Sequence, residues 1–381
     1  MAHPREKPDN GQDDDGNGYV DDVIGWDFLA NGNCPWDHDG HGTLVAGIIA
    51  AADNNKTGIA GINPHARIMV LKALNAFGQT RASFIAKALT YAADNGARIA
   101  NLSVGGKNLT EIEKAAIAYA RSKGVLVVVA AGNEGVEVKG FGPAGADDVV
   151  TVAATNLDDS HPAFSNWGPE IDLAAPGVDI LSLRARRTDT VLGVPGVDYK
   201  AGSAYVGKDK RYYRVSGTSF AAPFVAGVAS LVLSKNPALT VEQLETVLKN
   251  SAEDVQVPGL DQFSGAGMVH AGRALSLDPS FAIEAAITGV EVVQLSGKPA
   301  VQVLGSATAD AFAEARLELG EGEKPTKFKT VAQKVPAVAA GSLAVIPADA
   351  FRGVRLWTIR LVVSHRNGET REARYLLDTG Q

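Results

Sequence analysis

Two stretches of this chain are apolar at almost every position: VLVVVAAG, Val125 to Gly132, and VVTVAAT, Val149 to Thr155. A strand with one wet face alternates apolar and polar residues. A continuous run fits a strand covered on both faces, as in a parallel sheet flanked by helices. The flanking text agrees. RIMVLKAL (Arg67 to Leu74) and ARIANLSV (Ala97 to Val104) read as further strands. SFIAKALTYAADNG reads as a helix opened by Ser83 as N-cap and closed at Asn95-Gly96, and LTEIEKAAIAYARSKG as an amphipathic helix ending at Gly124. TVEQLETVLKNSA places Thr240 and Gln243 at capping-box positions. The fold class expected from this alternation is α/β with a mostly parallel sheet.

The texture changes near Asp278. AVQVLGSATA, EARLELGEG and VRLWTIRLVVSHR alternate apolar and polar residues, and Asn367-Gly368 separates two β-like runs as a hairpin signal. The expected organisation is one α/β domain over residues 1–279 and a small antiparallel β-sandwich over 280–381. A formal charge of −7 argues against a nucleic-acid partner. The single cysteine, Cys34, allows no intrachain disulfide. Apolar runs such as Leu44 to Ala52 are too short to span a membrane, and MAHPREKPDNGQ has no apolar core of a signal peptide.

Three glycine-rich segments carry chemistry: DHDGHGTLVAG with His41, VVVAAGNEG with Asn133, and SGTSFAAPFVAGVASLVL with Ser219. A serine nucleophile needs a neutral imidazole as base and donors aimed at the developing oxyanion. His41 and Ser219 each open an apolar helix, whose dipole favours neutral imidazole and supplies N–H groups. The Asn133 side chain offers an NH2 donor. Any one of these segments alone is an ordinary structural feature; together they point to a site. The other six histidines lack such surroundings and read as surface or core residues. Neither a G-x-S-x-G elbow at Ser219 nor an H-E-x-x-H zinc motif is present.

These segments resemble the subtilisin-like serine proteases. So do GIAGINPHARIMVLKAL (Gly58 to Leu74), NLSVGG (Asn101 to Gly106), FSNWGPEIDLAAPGVDI (Phe164 to Ile180) and GAGMVHA (Gly265 to Ala271). The resemblance runs from about Asp13 to Asp278. It implies the three-layer subtilisin-like fold and serine endopeptidase activity through an acyl-enzyme. His41 is then the general base and Ser219 the nucleophile. Asn133 and the Ser219 N–H are the oxyanion donors. Backbone groups of Ser103, Val104, Gly105 and Gly106 would bind an extended peptide as an added strand. The implied partners are protein or peptide substrates and a propeptide inhibitor, and the implied location is extracellular. The C-terminal region resembles Ig-like or fibronectin-like accessory modules. The stretch between Ile180 and Ser216, with RARRTDT and GKDKRYYR, is longer than in compact members and reads as an insertion.

One departure matters. The family triad runs Asp, His, Ser, with the aspartate ending a buried strand of the type V-A-V-I-D-T-G. No such strand precedes Asp13 in this sequence. Asp37 and Asp39 stand too close to His41 in sequence to sit behind its ring. Loss of a triad aspartate costs roughly 10⁴-fold in kcat, so the chain as written is expected to hydrolyse peptides weakly. Three readings follow: a piece of a longer protease, a degenerate scaffold that binds peptides, or a fold completed by a strand from another chain.

The acidic stretch DDDGNGYVDD, Asp13 to Asp22, partly fits a calcium loop. Asp13, Asp15 and Asn17 alternate, Gly18 supplies a turn, the Tyr19 carbonyl is placed to ligate, and Asp21 follows. Ile24 stands where an EF-hand needs Glu. The reading is structural calcium at Asp13, Asp15, Asn17, Tyr19 and Asp21, against a plain Asp/Gly turn, with no cofactor for the chemistry itself.

Overall fold

A computed structural model describes residues 6–185, 205–207 and 209–380. The chain opens with β1 (Gly25–Asp27), α1 (His41–Ala50), β2 (Val70–Lys72), α2 (Ala82–Asp94), β3 (Ile99–Leu102) and α3 (Glu111–Ser122). It continues through β4 (Leu126–Ala130), β5 (Val150–Thr155), β6 (Leu173–Pro176), β7 (Ile180–Leu183), β8 (Tyr205–Val206) and β9 (Tyr212–Val215). Three helices follow: α4 (Thr218–Lys235), α5 (Val241–Ser251) and α6 (Ala271–Ser276).

The α/β region is mostly parallel, as expected, but it is not one continuous sheet. Strands β3, β4, β5 and β6 form a four-stranded parallel sheet in that order. Strands β1 and β2 form a separate parallel pair. Strands β7, β9 and β8 make a small antiparallel sheet. That last sheet occupies part of the stretch read as an insertion; residues 186–204 and 208 lie outside the described residues.

The continuous apolar runs have the cause inferred for them. Leu126, Val128 and Ala130 of β4 pack with α4 and α5 on one face. Val127 and Val129 of the same strand pack with α2 and α3 on the other. Successive side chains point to opposite faces, so each position needs an apolar residue. Helix α4 approaches the sheet through small residues: Ala221, Ala222, Ala226 and Ala229 are buried in that core. It is the one helix among the described residues long and apolar enough to cross a membrane, and it is mostly buried inside the fold.

Helix starts follow side-chain capping where it exists. Thr110 and Thr240 each form a complete capping box, with Glu113 and Gln243. Helix α2 differs from expectation. Its N-cap is Arg81 in extended conformation with no side-chain cap, and Ser83 lies inside the first turn.

The C-terminal region holds β10 (Ile283–Leu295), β11 (Lys298–Ala309), β12 (Phe312–Glu321), β13 (Lys329–Val335), β14 (Val338–Pro347), β15 (Leu356–His365) and β16 (Thr370–Asp378). They form two antiparallel sheets, ordered β10-β11-β14 and β13-β12-β15-β16. The sheets share an apolar core that includes Val303, Leu317, Ile346, Ile359 and Leu361. The Asn367-Gly368 hairpin joins β15 to β16.

Gly227 in α4 tests how tightly that helix is seated. A Cβ there would lie 2.6 Å from Ile62 Cβ, an atom that cannot swing away. Helix propensity favours Ala over Gly by about 1 kcal/mol, whereas overpacking costs about 1–3 kcal/mol. Gly227→Ala is therefore expected to lower the melting temperature by a few degrees in calorimetry. A rise would show that α4 has slack against its neighbours.

Candidate active site

His41 and Ser219 each sit at a helix start preceded by a glycine whose backbone other residues avoid. Gly40 has φ 98° and Gly217 has φ 144°. The loop before α1 is tied by Asp37. Its Oδ1 accepts the Gly40 N–H at 2.7 Å, and its Oδ2 accepts the Thr43 N–H at 2.8 Å and hydroxyl at 2.6 Å. Asp39 accepts the His41 N–H at 3.2 Å. Both aspartates thus act on the loop backbone. The His41 ring lies 5.3 Å from the Phe220 ring. Burial pushes the His41 pKa below the ordinary imidazole value, with Asp39 and Asp37 opposing the shift.

The second helix start explains a further motif residue. Pro223 stands four residues after Ser219 and has no N–H, so the Ser219 carbonyl lacks its helical partner. Ser103 supplies the replacement: its Oγ donates to that carbonyl at 2.7 Å, and Asn101 Nδ2 donates to the same Oγ at 2.9 Å. The Ser219 hydroxyl donates to the Ser103 carbonyl at 3.4 Å. The end of β3 is thereby fastened to the start of α4.

Asn133 is held from the opposite side. Its Oδ1 accepts the Thr218 N–H at 2.8 Å and the Thr218 hydroxyl at 3.1 Å. With the amide oxygen so engaged, the NH2 end is turned away from Thr218 and has no partner among the described residues. Gly132 N–H donates to Thr218 Oγ1 at 3.1 Å. Asn166, fully buried, clamps the whole turn. Its Oδ1 accepts the N–H of Glu134 and Val136, and its Nδ2 donates to the Ala131 carbonyl at 2.9 Å. Sequence reasoning assigned no role to Asn166, Thr218 or Ser103 Oγ. The text around each was distinctive, but their partners lie 30 or more residues away.

A cleft of about 1900 Å³ gathers His41, Ser219, Asn133, Ser103, Val104, Gly105 and Gly106 along its lining. Gly106 needs correction as a peptide-binding position. Its N–H and carbonyl are both paired with Gly142, at 2.7 and 2.9 Å. Ser103, Val104 and Gly105 remain at the cleft wall.

The same cleft runs between β2 and β3. β2 pairs on one side with β1, and β3 on one side with β4, yet β2 and β3 do not pair with each other. Residues of α2 such as Ile85 and Leu89 cover one face, and Ile49, Ala226 and Leu233 of α1 and α4 cover the other. The Asn101 Oδ1 is buried beside this cleft with no hydrogen-bond partner.

Hydrogen bonds link the candidate metal-loop residues: Asp13 Oδ1 and Asp15 Oδ1 both accept the Asn17 N–H, at 3.1 Å each. Asn17 Oδ1 accepts the Tyr19 N–H at 2.8 Å, and its Nδ2 donates to Asp22 at 2.9 Å and Asn95 at 3.1 Å. Asp21 accepts the N–H groups of Asn10 and Gly11, at 3.0 and 2.9 Å. The Tyr19 ring packs edge-on against Trp26 and Tyr91. Asp13 and Asp15 each bring a carboxylate oxygen together with one of Glu6.

Comparison with known proteins settles the family. The model of the "Subtilase family" matches residues 2–267. The chain belongs to the subtilase family. This subtilase is 43% identical over 213 residues to a thermophilic serine proteinase of Bacillus sp. (strain AK1), covering 56% of this chain and 47% of that protein. It is 36% identical over 253 residues to thermitase of Thermoactinomyces vulgaris, covering 66% of this chain and 81% of thermitase. Among solved structures it resembles a cold-adapted subtilisin-like serine proteinase, with TM-score 0.52, 31% identity and coverage of 64% and 78%. A lanthipeptide protease aligns with TM-score 0.56, 26% identity and coverage of 66% and 80%. The chain spans about half the length of the first relative named. The relatives it matches are named as serine proteinases and subtilisins.

The bond from Ser103 Oγ to the Ser219 carbonyl yields a prediction. Ser103→Ala leaves a half-buried helix carbonyl without its partner, at a cost of about 1–3 kcal/mol. Chemical denaturation should show a loss of this size. An unchanged midpoint and slope would show that the contact contributes nothing.

Proposed function

We propose that the subtilase cleaves peptide bonds with Ser219 as nucleophile, and that an extended segment carrying an aspartate must enter the cleft between β2 and β3 before it does so efficiently. In the reaction the Ser219 Oγ attacks the scissile carbonyl while His41 takes its proton. The oxyanion receives hydrogen bonds from the Asn133 NH2 and the Ser219 N–H. His41 returns the proton to the leaving amine, and water then releases the acyl group by the reverse sequence. The observation that carries this reading is the Asn133 amide, whose oxygen is fixed on Thr218 so that its NH2 stays free beside the start of the Ser219 helix. The backbone of Ser103, Val104 and Gly105 is the docking edge for the substrate chain.

Three features support the entering segment. Two strand edges face one cleft, and each carries a row of backbone groups that an added strand would pair. Apolar helix residues cover both faces, as they cover β4. His41 lines the same cleft, so a carboxylate on the segment can meet its ring. The chain alone is then a scaffold that binds peptides and turns them over weakly, consistent with a Ser219 hydroxyl that rests on the Ser103 carbonyl. An extracellular location, protein substrates and control by a propeptide belong to the same proposal through family membership.

Two measurements test this. A synthetic heptapeptide VAVIDTG added to the chain should raise hydrolysis of a chromogenic substrate by roughly 10³–10⁴-fold. The same peptide with asparagine in place of aspartate should not, and Ser219→Ala should abolish the gain. Robust turnover by the chain alone, with no effect of the peptide, would contradict the proposal.

The second measurement is the NMR titration of His41. Alone, its pKa should lie below the ordinary value near 6.5. A facing carboxylate stabilises the imidazolium, so the aspartate peptide should raise it and the asparagine peptide should not. Because the depressed value opposes protonation in the fold, stability is full above about pH 6.5 and declines as pH falls below it.

A further inference from the structure

Gly105 and Gly132 stand just past the neighbouring parallel strands β3 and β4, and both line the cleft with Asn133 and Ser219. Neither position has room for a side chain. A Cβ built on Gly105 would lie 2.8 Å from Phe141 Cε1. One built on Gly132, where Asn166 and Glu134 also crowd it, would lie 2.9 Å from the same ring atom. One edge of the Phe141 ring therefore lies against both backbones and fills the space between them. Phe141 lines the cleft yet is only 6% exposed, so the ring is a plug between the two walls rather than a side chain free in solvent.

The ring is fixed where it stands. The Phe141 N–H donates to the Val138 carbonyl at 2.7 Å, and the Phe141 carbonyl accepts the Gly145 N–H at 2.6 Å. On its flanks the Gly140 carbonyl accepts the Leu109 N–H at 2.9 Å, and Gly142 exchanges two bonds with Gly106. The side chain belongs to the core that holds Ala131, Val138 and Ala144, and a close-packed core does not release a ring-sized volume without cost. Its place relative to the chemistry follows from the two walls. A substrate residue whose backbone pairs with Ser103–Gly105, and whose carbonyl oxygen meets the Asn133 NH2, has one wall on either side. Its side chain enters between them, where the ring already lies.

We propose that Phe141 sets the substrate class of this site: the slot between Gly105 and Gly132 admits glycine or alanine at the residue whose carbonyl is attacked, and excludes large apolar and aromatic side chains. The proposal rests on the roles given above to Ser219 and Asn133. Phe141 is a specificity-determining residue, since it meets the substrate side chain and no reacting atom. An apolar slot open to its full depth would reward a large side chain with buried area. The ring takes that space itself, so a large side chain gains no burial and meets a clash instead.

The test is calorimetric binding of acetylated tetrapeptides Ala-Ala-Pro-X to the full chain, with X alanine, leucine or phenylalanine. The wild type should bind the alanine peptide at least about tenfold more tightly than the phenylalanine peptide, the discrimination that an apolar pocket achieves by size. Phe141→Ala should reverse that order, because it leaves an apolar cavity of ring size. Phe141→Leu removes the ring atom between the glycines at a smaller loss of packing. It should narrow the gap between the alanine and leucine peptides, and it keeps the comparison should Phe141→Ala fail to fold. Chromogenic substrates with the same X, cleaved in the presence of VAVIDTG, should follow the same order in kcat/KM. The expected binding order without cleavage of any substrate upholds the slot and overturns the peptidase reading. Tighter binding of the phenylalanine peptide by the wild type, binding of none of the peptides, or an order unchanged in both variants overturns the proposal.

Discussion

Everything in the α/β region depends on burying a parallel sheet on both faces. Parallel strands cannot be joined by tight turns, so each connection crosses a face as a helix or long loop. The helices then cover the sheet, and each strand becomes apolar throughout. Leu126, Val128 and Ala130 answer to α4 and α5, and Val127 and Val129 to α2 and α3. Where strands point the same way, their ends open on one side, and ligands gather beyond those ends. Asn133 follows β4 and Ser103 follows β3 for this reason. The same requirement makes the unpaired edges of β2 and β3 conspicuous: their residues are half-buried or exposed, while every residue of β4 is buried.

The site itself is assembled by exchanges of single hydrogen bonds between segments far apart in the chain. Pro223 removes a helical N–H, and the Ser103 hydroxyl takes its place on the Ser219 carbonyl. Thr218 occupies the oxygen of Asn133 and thereby decides which end of that amide faces the cleft. Asn166 holds the turn that carries Asn133. Each bond is worth about 1 kcal/mol by ordinary measures, but together they fix the nucleophile, the donor and the substrate edge relative to one another.

Much of this was legible in the sequence, for identifiable reasons. The strands were visible because two-sided burial leaves no polar positions. Helix α5 began where Thr240 announced it, since a side-chain cap is a local interaction. The start of α2 was misplaced because Arg81 caps it by backbone conformation alone. His41, Ser219 and Asn133 were found through their glycine-rich surroundings, which reflect helix starts and a tight turn. Gly106 was misjudged because only the folded chain shows Gly142 paired to it. Glu6 was invisible for the same kind of reason. Nothing in the local spacing links it to Asp13; the link exists only because the chain folds back on itself there.

The central claim is that the cleft between β2 and β3 is a strand site. Backbone hydrogen exchange, followed by mass spectrometry with and without the aspartate peptide, tests it most directly, because new ladder bonds slow exchange on both edges at once. The account predicts added protection over residues 69–73 and 99–103 together, with little change in β5 and β6. Protection confined to one of those two stretches, or no protection in either, would contradict it.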